Sequence, residues 1–237
     1  MDTTFRKIRN EYFSLVIIFF TAMLSVFAQN KSINFETISW NEVVQKATKE
    51  NKPIFVDAYA TWCGPCKWMA NEVFTNDDVA DFYNNNFINV KMDMEKGEGK
   101  TLAKEWKVQV YPTLIYFSSE GKFIHRVCGT AEPVEFIEIA KQAINPKENL
   151  AALIDEYSNG NRDSKFVSDY LIKMADAYFD VKEQTTEYFA TQKEEDLYSE
   201  HNWILIEKTV NDIHSKEFIF LEKNLKNFME NRKLMIS

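Results

Sequence analysis

Residues 62–67 read Trp62-Cys-Gly-Pro-Cys-Lys67, and this hexapeptide decides how the rest of the chain is read. Cys63 and Cys66 stand three residues apart, where a strand is expected to give way to a helix. On one helical turn that spacing brings both sulfurs to the same side, so a disulfide closes between them with little backbone movement. Unpaired amides and the dipole at a helix N-terminus stabilise a thiolate on Cys63. Thiolate is the form that attacks disulfides. Two blander readings compete, half of a zinc site and an accidental pair. Zinc needs two more soft ligands at similar spacing, and the only other cysteine is Cys128. Redox chemistry is therefore favoured over metal.

The run before the hexapeptide, Pro53-Ile-Phe-Val-Asp-Ala58, is short, apolar and rich in strand formers, and it reads as a buried strand feeding the turn. Asp57 lies inside it, and a carboxylate in an apolar segment is expensive unless it serves a purpose. The bland reading points Asp57 to solvent. A parallel strand covered on both faces has no solvent side, which favours a functional acid.

Ile54-Phe-Val-Asp57 followed by Trp62-Cys-Gly-Pro-Cys-Lys67 resembles the thioredoxin family, including the interval between the aspartate and the first cysteine. Further matches follow in order. Phe87-Ile-Asn-Val-Lys-Met-Asp93 places Lys91 where the family has a lysine beside its buried aspartate. Val110-Tyr-Pro-Thr-Leu-Ile-Tyr-Phe117 fits the segment with the cis-proline, here Pro112, and Gly129 fits the glycine near the end of the last strand. The resemblance spans about Ser32 to Ile144. Glu72-Val-Phe-Thr-Asn-Asp-Asp-Val79 is more similar to secreted thioredoxin-like proteins and to the C-terminal domain of the membrane reductant conductor DsbD.

The resemblance implies an α/β thioredoxin fold, a central mixed sheet flanked by helices. It implies a thiol–disulfide oxidoreductase whose only redox group is the Cys63–Cys66 disulfide, with no cofactor and no metal. Cys63, expected to be the more exposed thiol, attacks a substrate disulfide, and Cys66 then resolves the mixed disulfide. Asp57 takes the Cys66 proton directly or through a water, with its own pKa raised by burial and pulled back by Lys91. Trp62, Gly64, Pro65, Tyr111, Pro112 and Gly129 are the expected substrate-facing residues. Gly64-Pro65 goes with reducing members of the family. An oxidase or isomerase on the same fold is the second reading, and a non-enzymatic binding module built on the helical region the third. The implied partners are protein disulfides and a thiol electron donor, a membrane-bound one among the candidates. Two departures stand out. Tyr111 replaces a smaller aliphatic residue before the proline, and Cys128 adds a third thiol just before Gly129. Cys128 reads either as a small buried hydrophobe or as a thiol open to oxidation or to mispairing with Cys66.

Arg6, Lys7 and Arg9, then the apolar run Phe13–Phe27, then Val26-Phe-Ala28 have the anatomy of a secretory signal peptide over residues 1–28. The run is shorter than the roughly 20 residues that comfortably span a bilayer, and an uncleaved membrane anchor is the alternative. The formal charge is −8, or −9 once residues 1–28 are removed, which argues against nucleic acid or anionic lipid as the main partner. Gly99-Lys-Thr101 echoes a phosphate-binding loop, but the required earlier glycine falls at Met94. His125, His201 and His214 show no ligand spacing, and Asn30-Lys-Ser32 is a formal glycosylation sequon.

Strands are expected at Ile33–Glu36, Ile54–Ala58, Phe87–Asp93, Thr113–Phe117 and Phe123–Val127. Helices are expected at Trp40–Glu50 capped by Ser39, from near Cys63, at Asp77–Tyr83 capped by Asn76, at Thr101–Trp106, and at Glu135–Ile144 with Pro133 at its start. Residues 29–146 thus form the thioredoxin-like domain. Residues 147–237 hold one glycine and no proline and read as an all-α domain of four or five helices. Their expected inner faces are Leu150, Leu153, Ile154 and Tyr157; Phe166, Tyr170, Met174 and Ala177; Trp203, Ile206 and Val210; and Phe218, Leu221, Leu225 and Phe228. Breaks are expected near Asn159–Asn161, Asp180–Lys182, Lys193–Asp196 and Asp212–Ser215.

Overall fold

The computed structural model describes residues 31–210 and 212–225. The expected signal segment and Phe228 lie outside the described residues. Among the described residues no helix is long and apolar enough to cross a membrane.

The sheet has five strands: β1 (Phe35–Glu36), β2 (Ile54–Tyr59), β3 (Ile88–Asp93), β4 (Thr113–Phe117) and β5 (Phe123–Cys128), in the spatial order β1-β3-β2-β4-β5. β1, β3 and β2 run parallel, whereas β4 and β5 are antiparallel additions. This is the mixed sheet of the thioredoxin fold. Alternation along each strand sends residues to two different cores. Phe55, Leu114 and Tyr116 join one core with Val73, Val79, Tyr83 and Phe136. Ile54, Val56, Ala58, Ile115 and Phe117 join the other with Val43, Ala47 and Leu102.

Three of the covering helices start at a side-chain cap. Ser39 and Glu42 form a reciprocal capping box at α1 (Trp40–Glu50). α2 (Gly64–Trp68) continues as a π-helical turn over Met69–Val73. Asn76 accepts from the Asp78 and Val79 amides at α3 (Asp77–Asn86), which runs one turn further than expected. α4 spans Gly99–Glu105 and α5 spans Pro133–Ile144. β1 is shorter than expected because the Ile33 amide donates to the Phe74 carbonyl, 2.8 Å away, instead of joining the ladder. α4 begins two residues early at Gly99, where a Cβ would collide with the Asp93 carbonyl. The resemblance to a phosphate loop there reflects close backbone packing.

Beyond Ile144 the chain is helical. α6 (Leu150–Ser158), α7 (Ser164–Asp176), α8 (Lys182–Thr191), a 3₁₀ turn (Glu194–Tyr198) and α9 (Glu200–Thr209) are followed by helical residues 216–225. Asn149 ties α6 to α5, donating to the Ala143 carbonyl while accepting from the Ala152 amide. α7 packs against α6, α8 and α9, and Leu150, Val167, Tyr170, Leu171, Phe189, Trp203 and Leu205 centre this core. One expected face is corrected. The last described helix buries Phe220 and half-buries Leu221, while Leu225 is exposed. The inward stripe runs through Glu217, Phe220 and Leu221, and a glutamate in that stripe, buried to 8% exposure, hides it from a reading of apolar periodicity.

β5 is the sheet edge, and α6 covers it, which removes an open edge that would otherwise invite pairing with another chain. His125 Nδ1 accepts the Leu150 amide at 3.3 Å. Phe123 meets Phe179 edge to face, with centroids 5.8 Å apart.

Candidate functional site

The turn after β2 delivers Cys63 as the N-cap of α2. Pro65 sits in the first turn, where a missing amide hydrogen is harmless. Cys63 and Cys66 form a disulfide with Cα atoms 5.3 Å apart, and the Cys66 amide points at Cys63 Sγ from 3.1 Å. That amide is positioned to stabilise charge on Cys63 once the bond is reduced. Gly64 has open space where a Cβ would stand.

Each cysteine is 2% exposed. The expectation of a more exposed Cys63 is therefore corrected for the disulfide state. The physical reason is local: Tyr59 and Tyr111 pack against the small cluster of Ala60, Cys63 and Cys66. Tyr111 also meets Trp62 edge to face at 5.9 Å. Trp62 itself is 66% exposed, and its indole N–H donates to Glu95 Oε2 at 2.9 Å. The aromatic pair forms a wall beside the disulfide, and Glu95 fixes one end of it.

The Tyr111–Pro112 peptide is cis. Gly129 donates its amide to the Pro112 carbonyl at 2.9 Å, and it holds φ +102, a backbone region that favours glycine. The structure thus brings Trp62, Tyr111 and the two cysteines into one patch, and ties Gly129 to Pro112 behind it. Cys128, next to Gly129, is a free half-buried thiol whose Sγ lies 3.6 Å from Thr113 Oγ1. Burial pushes this thiol's pKa up, with the Thr113 contact and Arg126 pulling the other way.

Asp57 and Lys91 occupy directly opposed positions of β2 and β3. Both face the core of Phe55, and Lys91 Nζ stands 3.6 Å from Asp57 Oδ2. Asp57 is fully buried, and neither oxygen has a hydrogen-bond donor among the described residues. Burial pushes its pKa up to about 6, with the Lys91 charge pulling it back. The Lys91 ammonium in turn lies over the Tyr59 ring, 5.0 Å from its centroid. The site therefore holds a carboxylate poised to gain or lose a proton near neutrality, in the strand that leads to the dithiol.

Sequence reading missed Glu95, whose role depends on a partner 33 positions away. It also passed over His125 and Arg126, although two polar residues in mid-strand were a visible signal that something covers β5. Among the described residues no group of three His, Cys, Asp or Glu is placed to hold a metal ion.

A family model described as a thioredoxin-like domain matches residues 40–144. Thioredoxin H1 of Arabidopsis thaliana is 36% identical over 103 residues, covering 44% of this chain and 84% of that protein. A thioredoxin H-type of Ricinus communis is 38% identical over 91 residues, covering 38% of this chain and 71% of that protein. Among solved structures, the oxidised C-terminal domain of Neisseria meningitidis DsbD is 25% identical with a TM-score of 0.40, over 47% of this chain and 99% of that one. All of these matches fall well short of the full chain, and the family match ends before α6. With its disulfide, cis-proline and opposed Asp57–Lys91 pair in place, the chain belongs to the thioredoxin family.

Proposed function

We propose that the protein is an exported reductase of protein disulfides that works through the Cys63–Cys66 dithiol. The observation that carries this reading is the Cys63–Cys66 disulfide at the start of α2, with a backbone amide on Cys63 and the cis Tyr111–Pro112 segment beside it. The Gly64-Pro65 pair and the thioredoxins among the relatives support the reducing direction. Export rests on the basic stretch and apolar run of residues 1–28.

In the reaction, Cys63 thiolate attacks one sulfur of the substrate disulfide, and the other substrate sulfur leaves as a thiolate. Cys66, after losing its proton to Asp57, attacks Cys63 Sγ and expels the second substrate thiolate. Two electrons pass to the substrate, and the protein is left in the disulfide form seen here. A dithiol donor then returns it to the reduced form. Lys91 keeps Asp57 from becoming too weak an acid to release the proton again.

The test is the reduction potential of the Cys63–Cys66 pair in the full chain carrying Cys128→Ala. A value near the thioredoxin end, about −270 mV, is expected. A value near about −120 mV, typical of a strong disulfide donor, overturns the reductase reading in favour of an oxidase.

A further inference from the structure

The segment 106–112 between α4 and β4 carries the Tyr111–Pro112 peptide, and its two ends are fixed from within the thioredoxin fold. The Val108 amide donates to Ala103, the Thr113 hydroxyl to the Val110 carbonyl at 2.7 Å, and the Gly129 amide to Pro112. Trp106 also packs on Trp40 and Phe117, and further attachments come from β5 and the helical region. Gln109 Nε2 donates to the Tyr178 carbonyl at 3.2 Å. Arg126 reaches from β5 in two directions, donating to the Trp106 carbonyl through Nη2 and to the Ala177 carbonyl at 3.5 Å through Nη1. Its guanidinium lies over Phe179, 4.4 Å from the ring centroid.

This arrangement is more specific than covering an edge strand requires. Arg126 is 3% exposed, with its two terminal nitrogens on backbone carbonyls and its Nε without a partner among the described residues, a costly state for a buried guanidinium. An apolar side chain would pack here without that cost, so the arginine sets geometry that packing alone would not. Lys107 and Tyr178, at φ 53 and 58, are the left-handed residues that close α4 and α7, with the Val108 and Phe179 amides returning to the Ala103 and Met174 carbonyls.

We infer that the turn Ala177–Phe179 of the helical region holds the Tyr111 segment in place, with Arg126 and Gln109 as positioning residues. They act on the dithiol through Tyr111, which packs against Cys63 and Cys66 and meets Trp62. The helical region is thereby part of the substrate-facing wall, setting how closely Tyr111 covers Cys63 and how a polypeptide seats beside it. The substrate half of this inference rests on the proposed reductase function; the coverage of Cys63 does not.

The experiment uses the reduced full chain and two variants, Gln109→Ala and Arg126→Met. Alkylation of Cys63 by iodoacetamide reads the coverage without any substrate, and both variants are expected to react at least about three times faster, the scale of one lost hydrogen bond. With insulin as the protein disulfide, KM rises about three- to tenfold while kcat stays within about twofold, and the rate on hydroxyethyl disulfide, a small electrophile for the same thiolate, rises with the alkylation rate. A general loss of structure would lower both substrates together. Unchanged alkylation in folded Gln109→Ala overturns the inference, whatever becomes of Arg126→Met. If the unmodified chain fails to reduce insulin, the reductase reading falls, and the alkylation rates still decide whether the helical turn positions Tyr111.

Discussion

Asp57 lies buried in β2 with one charged neighbour, Lys91 at 3.6 Å, and no hydrogen-bond donor among the described residues. Burial outweighs that neighbour and lifts the pKa from 3.8 to about 6. A carboxyl raised in the folded state binds its proton more tightly there than in the unfolded chain, so stability falls as pH rises from about 4 to about 6. At neutral pH the ionised group destabilises the fold by about 3 kcal/mol, the two-unit shift converted at 1.36 kcal/mol per unit. Asp57→Asn is therefore expected to stabilise the protein by about that amount at pH 7 and by almost nothing at pH 3.5, measured by denaturant unfolding. If Asp57 takes the Cys66 proton as proposed, the resolution step in the same variant is expected to lose its acid limb near pH 6. Equal stability of the two proteins at pH 7 would show that Asp57 is not held under strain. Asp57 was legible in sequence as a carboxylate inside an apolar strand, and Lys91 through the family resemblance, with strand register then setting the two opposite each other. Glu95 was not, because its partner is an indole that only the folded turn brings near.

At the scale of elements, local chemistry decides most boundaries, and tertiary backbone contacts decide the rest. Ser39 and Asn76 announce α1 and α3 because cap residues act over three or four positions of chain. The π turn at Met69–Val73, the short β1 and the early start of α4 leave no comparable mark. The short β1 and the early α4 depend on a bond or a steric contact with a distant backbone. Gly99 is the sharpest case. A methyl group there meets the Asp93 carbonyl, which neither a rotamer change nor a flexible neighbour can relieve. Gly99→Ala is expected to destabilise the fold by about 1–3 kcal/mol, the usual effect of overpacking. Gly64→Ala, which has open space around the new methyl, should stay within about 0.5 kcal/mol. Chemical denaturation of the two variants side by side separates a steric role from general helix propensity. An unaltered midpoint for Gly99→Ala would mean that α4 simply shifts away from β3.

The whole molecule joins a thioredoxin sheet to a helical core along β5, and this seam was the least legible part of the sequence. Helical periodicity located the segments beyond Ile144 but carried no information on where they dock. His125 marks the place. Its Nδ1 accepts the Leu150 amide at the start of α6, and it must be deprotonated to do so. Burial, with Lys173 adding repulsion, holds the imidazole pKa down at about 4. A histidine depressed in the folded state takes up its proton more readily when unfolded, so its stabilising contribution is complete above about pH 6.5 and is lost as pH falls toward 4. That loss amounts to about 3 kcal/mol. Asp57 works in nearly the same window with the opposite sign, so in the natural chain the two slopes largely offset each other between pH 4 and 6. Single substitutions should separate them. Asp57→Asn leaves the histidine alone, and its stability should climb with pH by about 3 kcal/mol across the window. His125→Gln, which keeps an acceptor for Leu150 without a titrating ring, should show stability falling as pH rises over the same range. Unfolding midpoints from pH 4 to 7 for the natural chain and both variants test this directly. A His125→Gln profile parallel to that of the natural chain would mean that the seam opens without charging the histidine, and that the acid response lies elsewhere in the molecule.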